Sequence, residues 1–504
     1  MTLDEPEMTS QKAASLSGSS EPLRVPVIRS DIELCPDPSR VVVRPFLPDE
    51  QVLSGGGLLD RILTMPEGDV ASTLAVAYAQ FEGRHLDLDK VLESNFESVA
   101  READGLANLS KDRRLLIGAY YTREFSIEAA ALTNPSIVPA PDQSGLEPGA
   151  QRFVLSLRAI GEGQVSSIEF RSGVIDANGG IVIEEPSGYA LTGTRRPPVF
   201  DKAVFCASLN EMDAFNEMAG LVIDPLPDRF ELDQLDAAIA AVEGKRARRL
   251  SDPTCRTIYW LATSNYKLSF TSESNVSQRV IFAGSAVESH GLEDARFVRF
   301  TDDDGSTNYY ATYTAYDGFR ILPQLIETTD FVSFRIATLS GLCAQNKGAA
   351  LFPRRIEGRF AALSRYDGEN SYVMRSDNVR IWEAADRIET PGSPWQLARI
   401  GNCGSPIETD AGWLVITHGV GPFRSYSLGA ILLDIDDPTR VIGQLDEPLL
   451  AWREDEREGY VPNVVYSCGA MIHGDELILP YGISDMATRI AKVPLDALLA
   501  KLAG

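Results

Sequence analysis

The spacing of apolar side chains changes once along this chain. From about Leu58 to Tyr121 they recur three and four residues apart, as in "DVASTLAVAYAQFEGR" and "DLDKVLESNFESVAREADGL", the repeat of one face of a helix. Asp87 stands where the second of these helices needs an N-cap. Beyond Thr122 the apolar stretches become short or alternating: "RFVLSLRAI", "VSSIEFRSG", "AVFCASLN", "RTIYWLATS", "YYATYTAY", "RFAALSRY", "GWLVITHGV" and "ELILPYGIS". Gly, Asp, Asn and Pro separate them, so each reads as a strand bounded by turns. One helix, "LDQLDAAIAAVEGKRAR" at 232–248, interrupts the series.

That many short strands exceed what a single sandwich can use. A propeller uses them naturally, because radial repetition of small sheets hides their edges. The segments "ETTDFVSFRI" and "MRSDNVRIWE" echo each other faintly, about one blade apart. The pattern therefore predicts an acidic, Ser-rich disordered tail over 1–24, a largely helical extension over 25–121 and a β domain over 122–504.

Composition narrows the partners. The chain has 504 residues and a net charge of −25, so it carries no basic field for nucleic acid or an anionic lipid surface, and a neutral substrate is expected. Six scattered cysteines form no Cys-x-x-Cys pair, and His290 and His473 lack ligand-spaced partners, so neither a disulfide framework nor a metal site is predicted. The cysteines read as reduced core residues. The N-terminus lacks the basic and apolar regions of a signal peptide, and a cytoplasmic location is the default expectation.

One stretch stands out. "SHGLEDARFVRF" (289–300) places Glu293, Asp294 and Arg296 within four positions, beside His290. Taken alone, this is a surface ion pair at a turn. Six further segments follow it in order: "YTAYDG", "NKGAALFPRRIEGRF", "GSPIETDAGWLVITHGV", "GAILLDIDDPTRVIG", "EREGYVPNVVYSCG" and "LPYGISD". Together they resemble glycoside hydrolase family 130, the β-mannoside phosphorylases and β-mannosidases, across about residues 125–500. The resemblance implies an all-β fold, a five-bladed β-propeller, with the helical N-terminal extension lying outside the family's usual core.

It also implies roles. Asp294 becomes the proton donor of an inverting cleavage, and such an acid is expected to have a raised pKa, with Arg296 orienting or neutralising Glu293. The attacking group is phosphate in a phosphorylase. In a hydrolase it is water activated by a second carboxylate roughly 6.5–9.5 Å away. Where phosphorylases carry a basic residue, an Asp and a His, this chain has Gln345, Gly348 and Ser364, although Asn346, Lys347 and Arg365 remain as a possible phosphate or nucleophile site. Arg354, Arg355 and Arg359 lie nearby and keep a phosphate pocket open, although Arg354 and Arg355 are expected in a solvated turn. Glu327 and Glu369 are the candidate water-activating bases, against a strand-end pair with Arg320 and a simple turn residue. For the glycone the resemblance suggests Asn134, Ser136, Tyr313, His418, Tyr466 and Asp485. Arg158 and Glu162 stand between a role in the wall and a structural salt bridge.

The expectation is thus an inverting β-mannosidase acting on β-1,2-linked manno-oligosaccharides, hydrolysis ahead of phosphorolysis, with no cofactor beyond phosphate as a co-substrate. Homo-oligomerisation is left open. The alternatives are a β-mannoside phosphorylase, a non-catalytic carbohydrate-binding propeller, and a mannosyltransferase using a nucleotide sugar.

Overall fold

The computed structural model describes residues 24–46, 57–103, 106, 108–243 and 252–504, so nearly all of the predicted 1–24 tail lies outside the described residues. The described residues are mostly β, with two helical regions and a last helix, Leu495–Ala503. The first comprises Leu58–Leu63, Glu67–Phe81, Leu88–Glu102 and Lys111–Tyr120, where the apolar period placed helices. Leu92, Phe96 and Val99 pack against Leu115, Leu116 and Ile117, and Gly118 lets the helices touch, because a Cβ there would come 2.0 Å from the Leu92 carbonyl oxygen. Asp87 occupies the N-cap position but does not cap: its backbone is left-handed (φ 52°), and its carboxylate pairs with Lys90 at 2.6 Å.

The second helical region corrects two strand expectations. "AVFCASLN" lies in the helix Lys202–Glu211 and "RTIYWLATS" mostly in the helix Pro253–Thr263. Both begin at an aspartate cap: Asp201 accepts from the Val204 amide, and Asp252 accepts from Thr254 and Cys255. Cys255, Ile258, Leu261 and Ala262 then form one buried helical face. The cap outweighs the aromatic and β-branched content that suggested strand. Four cysteines are buried, but Cys35 is exposed and Cys206 half-buried, so the core description fits four of the six.

The remaining chain forms antiparallel sheets. Ala131–Pro139, Gln151–Ile160 and Ser166–Ile175 make one unit, joined by a single parallel pairing, Gly291 with Ser166, to Gly291–Thr301, Thr307–Tyr316, Ile321–Thr328 and Ser333–Thr338. A third group is Ala350–Leu351, Phe360–Ser364, Ser371–Ser376 and Ala385–Glu389. The fourth is centred on Gly412–Val420 and Tyr426–Leu433, and the fifth on Glu476–Ile483 and Ala487–Pro494. The N-terminal strand Ile28–Leu34 completes this last group, Ile28 opposite Lys492 and Leu34 opposite Thr488, so the two ends of the chain share a sheet.

Packing follows from alternation. In Gly412–Val420 every residue is buried: Trp413 and Val415 face Phe352 and Val373 of the third group, whereas Leu414 and Ile416 face Leu479 and Ala491 of the fifth. The same holds around the molecule. Phe170 and Phe297 join the first group to the second, Phe300 and Met374 the second to the third, and Phe153 and Ile490 the fifth to the first. Each large apolar side chain withdrawn from water adds about 1.5–3 kcal/mol, and the gain is spread over five shared cores rather than one.

Candidate active site

Asp294 comes from a flaw in a ladder. The pairing of Gly291–Thr301 with Thr307–Tyr316 slips between Glu293 and Arg296, and Asp294 in the gap is left-handed at φ 57°. A second slip, between Thr133 and Ser136, puts Asn134 at φ 51°. The two irregularities face each other: the Asn134 side-chain amide donates to the Asp294 carboxylate at 2.6 Å. Asp485 sits in the three-residue connection between Glu476–Ile483 and Ala487–Pro494, where Ser484 and Asp485 both have positive φ, as the central pair of a type I′ turn requires.

These residues open onto one cavity of about 540 Å³, walled also by Arg158, Lys347, Arg365, Arg399, His418 and Tyr466. Phe423, Arg424, Val461 and Asn463 contribute to the same lining. Of the thirteen non-glycine residues with positive φ among the described residues, six line it: Asn134, Asp294, Phe423, Arg424, Asn463 and Asp485. Strain concentrated in this way marks a place where geometry is held for chemistry.

The cavity is electrically divided. On one side Arg158 donates to Glu293 at 2.8 Å, and Lys347 bonds the other Glu293 oxygen. Arg296 does not reach Glu293. It is buried behind the wall, donating to the Asp294 and Cys403 carbonyls and to the Tyr466 hydroxyl at 2.8 Å. Burial pushes the Asp294 carboxyl up, but the Arg296, Arg158 and Lys347 cations and the Asn134 amide outweigh it and hold the group below its usual range. This reverses the expected raised acid, because three cations surround the carboxyl where the motif alone shows one. Asp485 is the elevated carboxyl instead: burial and the nearby Asp294 and Glu293 raise it to about 6 against the pull of Arg158.

Elsewhere in the lining Arg365 is buried, and among the described residues its only side-chain partner is a ring nitrogen of His418 at 3.2 Å. Burial and the Arg365, Arg296 and Arg399 charges keep His418 well below its ordinary pKa, hence neutral. Among the described residues none of Arg365, Arg399 and Arg424 forms an ion pair, and the Arg365 Nε lacks a hydrogen-bond partner.

Several expected site residues lie elsewhere. Tyr313 is buried in the core with its hydroxyl on Glu288 at 2.7 Å, because strand alternation turns it away from the cavity. Ser136 is buried beneath the site, where its hydroxyl accepts from the Phe297 amide. Asn346 does not line the cavity; its side chain accepts from the Lys347 amide. Glu327 is bound to Arg380 at 2.8 Å, not to Arg320, and Glu369 is exposed in the turn after Arg365. Neither base candidate reaches the cavity. Arg354 and Arg355 are held by Glu408 and Asp302 away from it.

Comparison with known proteins decides the lineage. The 1,2-beta-oligomannan phosphorylase of Thermoanaerobacter sp. (strain X514) is 36% identical over 214 residues, spanning 40% of this chain and 68% of that protein. The profile of glycoside hydrolase family 130, described as beta-1,4-mannooligosaccharide phosphorylase, matches residues 264–503. This chain belongs to glycoside hydrolase family 130. It is therefore an enzyme, a glycoside hydrolase or glycoside phosphorylase. The beta-1,2-mannobiose phosphorylase of Listeria innocua serovar 6a is 26% identical over 361 residues, 69% of this chain and 95% of that protein. A solved structure of the Listeria innocua enzyme with beta-1,2-mannobiose has a TM-score of 0.45 at 19% identity, over 75% of this chain and 93% of that one.

Within this family 130 enzyme, sequence reasoning missed Arg399, Phe423 and Arg424. The signal was present in "VGPFRS", where a turn that favours Gly at its tightest positions carries Phe and Arg.

Proposed function

We propose that this family 130 enzyme is an inverting β-mannoside phosphorylase, cleaving β-1,2-linked manno-oligosaccharides to α-mannose 1-phosphate. The observation that carries this is Arg365, a buried guanidinium that, among the described residues, has no carboxylate partner, in a cavity lined also by Arg399 and Arg424, which form no ion pair there either. Buried cations are normally matched, and an unmatched cluster in a cavity fits an absent anion. Hydrolysis needs a water-activating carboxylate on the face opposite the acid, and the two glutamates expected to supply it lie outside the cavity. The names of the two relatives point the same way.

In the proposed step a phosphate oxygen forms the bond to the anomeric carbon as the bond to the leaving oxygen breaks. Asp294 gives that oxygen a proton. The surrounding cations alone favour the ionised Asp294. A phosphate dianion entering beside them offsets their field and raises the Asp294 pKa, so binding of the nucleophile loads the acid. Asp485 and Asn134 would hold glycone hydroxyls. The five shared cores, each between consecutive sheet groups and returning from the fifth to the first, support a five-bladed propeller with this cavity at its centre. A charged sugar phosphate does not cross a bilayer, which fits the cytoplasm.

Incubating the protein with β-1,2-mannobiose, with and without inorganic phosphate, tests the proposal. Mannose 1-phosphate formed only with phosphate is expected. Mannose released at equal rates in both overturns it in favour of hydrolysis.

A further inference from the structure

Two hairpins of this chain turn in the same way with different residues. Gln151–Ile160 reaches Ser166–Ile175 through Gly161-Glu162-Gly163-Gln164-Val165, and Gly412–Val420 reaches Tyr426–Leu433 through Gly421-Pro422-Phe423-Arg424-Ser425. The backbones coincide. Gly161 has φ −94° and ψ −166°, and Gly421 has −104° and −160°. At the third position Gly163 has φ 65° and ψ 17°, and Phe423 has 55° and 24°. The fourth residues, Gln164 and Arg424, have φ 64° and 54°. Both turns close with the same hydrogen bonds, Gly161 to Val165 and Gly421 to Ser425, each 3.0 Å.

The fold therefore asks for glycine at the third position, and one turn supplies it. Phenylalanine there is strained. It is also 98% exposed, so nothing in the protein offsets either the strain or the apolar surface. Packing does not explain the residue. Its place does: Phe423 and Arg424 form part of the lining of the catalytic cavity, beside the carboxylate and cation walls. A left-handed backbone held by two turn hydrogen bonds presents a flat ring and a guanidinium in a fixed orientation. A pyranose has the matching chemistry, with C–H groups on its faces and hydroxyls at its edge. The glycone is taken by Asp294, Asn134 and Asp485, so the solvent-facing ring is left to the next sugar.

Resting on the function proposed above, we infer that Phe423 forms the leaving-group subsite, its ring stacking on the second mannose unit.

The test uses the full chain carrying Asp294→Asn, which binds without turnover, and calorimetric titration with mannose, β-1,2-mannobiose and β-1,2-mannotriose. Adding Phe423→Gly should weaken mannobiose and mannotriose about tenfold and leave mannose unchanged. Phe423→Tyr, which keeps the ring, should restore affinity. Melting of Phe423→Gly at or above the parent temperature shows that the fold is intact, as expected where glycine relieves the turn. Unchanged oligosaccharide affinity, or equal loss of mannose and oligosaccharide, overturns the subsite while leaving the proposed reaction standing. Failure of any mannoside to bind the Asp294→Asn protein overturns the proposed function, and the subsite with it.

Discussion

The two walls of the cavity treat charge in opposite ways. On the carboxylate wall Glu293 meets both Arg158 and Lys347, and Asp294 lies among Arg158, Arg296 and Asn134. On the other wall Arg365, Arg399 and Arg424 meet no acid among the described residues, in a chain whose net charge is −25. The matched wall is preorganised: its groups are oriented before substrate arrives, and little reorganisation remains for the reaction. The unmatched wall carries the charge that the proposed phosphate nucleophile needs. The contrast teaches that the reaction class is written less in the acid, which hydrolases and phosphorylases share, than in the charges that have no partner.

The largest effect should come from breaking the matched wall at its centre. Asp294→Asn removes the proposed proton donor and keeps the shape, and kcat should fall about 10²–10⁴-fold, with substrate still bound. Parent-level turnover by this variant, followed through product release, would remove Asp294 from the chemistry.

Breaking the other wall separates phosphate from sugar. Arg365→Met should raise the KM for phosphate by about 10–100-fold, the worth of one lost charge-assisted pair, with mannose affinity unchanged. Without phosphate, the same variant should melt at or above the parent temperature, because it deletes a buried cation that has no carboxylate partner among the described residues. Phosphate should then protect the parent from thermal unfolding more than the variant. Equal protection of both would mean that the anion sits elsewhere.

Sequence showed the matched wall better than the unmatched one. Glu293, Asp294 and Arg296 lie in one short motif, and Asp485 sits in a turn bounded by an apolar strand. Which face a strand residue takes was not legible, because a one-residue slip reverses every side chain. Tyr313 and Ser136 fall to the buried side for that reason, whereas Asn134 and Asp294 reach the cavity through local slips in register that no periodicity announces. The unmatched wall draws on Arg365, Arg399 and Arg424, residues separated by as many as 59 positions, and each taken alone looks like a surface arginine. The helices Lys202–Glu211 and Pro253–Thr263 were concealed by short apolar runs, although their aspartate caps were visible.

A smaller effect probes the cost of holding Asp485 ready. Its folded pKa of about 6 lies above the ordinary carboxyl value, so the native state binds the proton more tightly than the unfolded state does. Its contribution is fully present below about pH 4 and is lost as pH rises through 6. Asp294 has the opposite sign, with a depressed pKa whose contribution is lost only as pH falls below the ordinary carboxyl range. Asp485→Asn should therefore flatten the decline in stability between pH 4 and 7, measured by denaturant unfolding, and leave the protein about 1–2 kcal/mol more stable at pH 8. It should weaken mannoside binding at the same time. A parallel decline in the variant would assign the slope to another group, and the buried Glu128, raised to about 7 by burial and its neighbour Glu169, is the next one to change.

The smallest effect discriminates most cleanly between the two reaction classes. Glu327 is engaged by Arg380 at 2.8 Å on a partly exposed strand, and Glu369 is exposed in a turn whose bonds are made by Asp367. Glu327→Gln gives up one part-exposed ion pair, worth at most about 1 kcal/mol, and Glu369→Gln gives up nothing the fold uses. Both variants should turn over mannobiose within about twofold of the parent. Water needs a carboxylate to lose its proton to, whereas phosphate arrives already ionised and needs only cations to hold it. A kcat reduced 10²-fold or more in either glutamine variant, with mannose rather than mannose 1-phosphate as the parent's product, would move the nucleophile's side of the site to that glutamate. Wild-type rates in both would leave the unpaired arginines as the only groups on that side with a task.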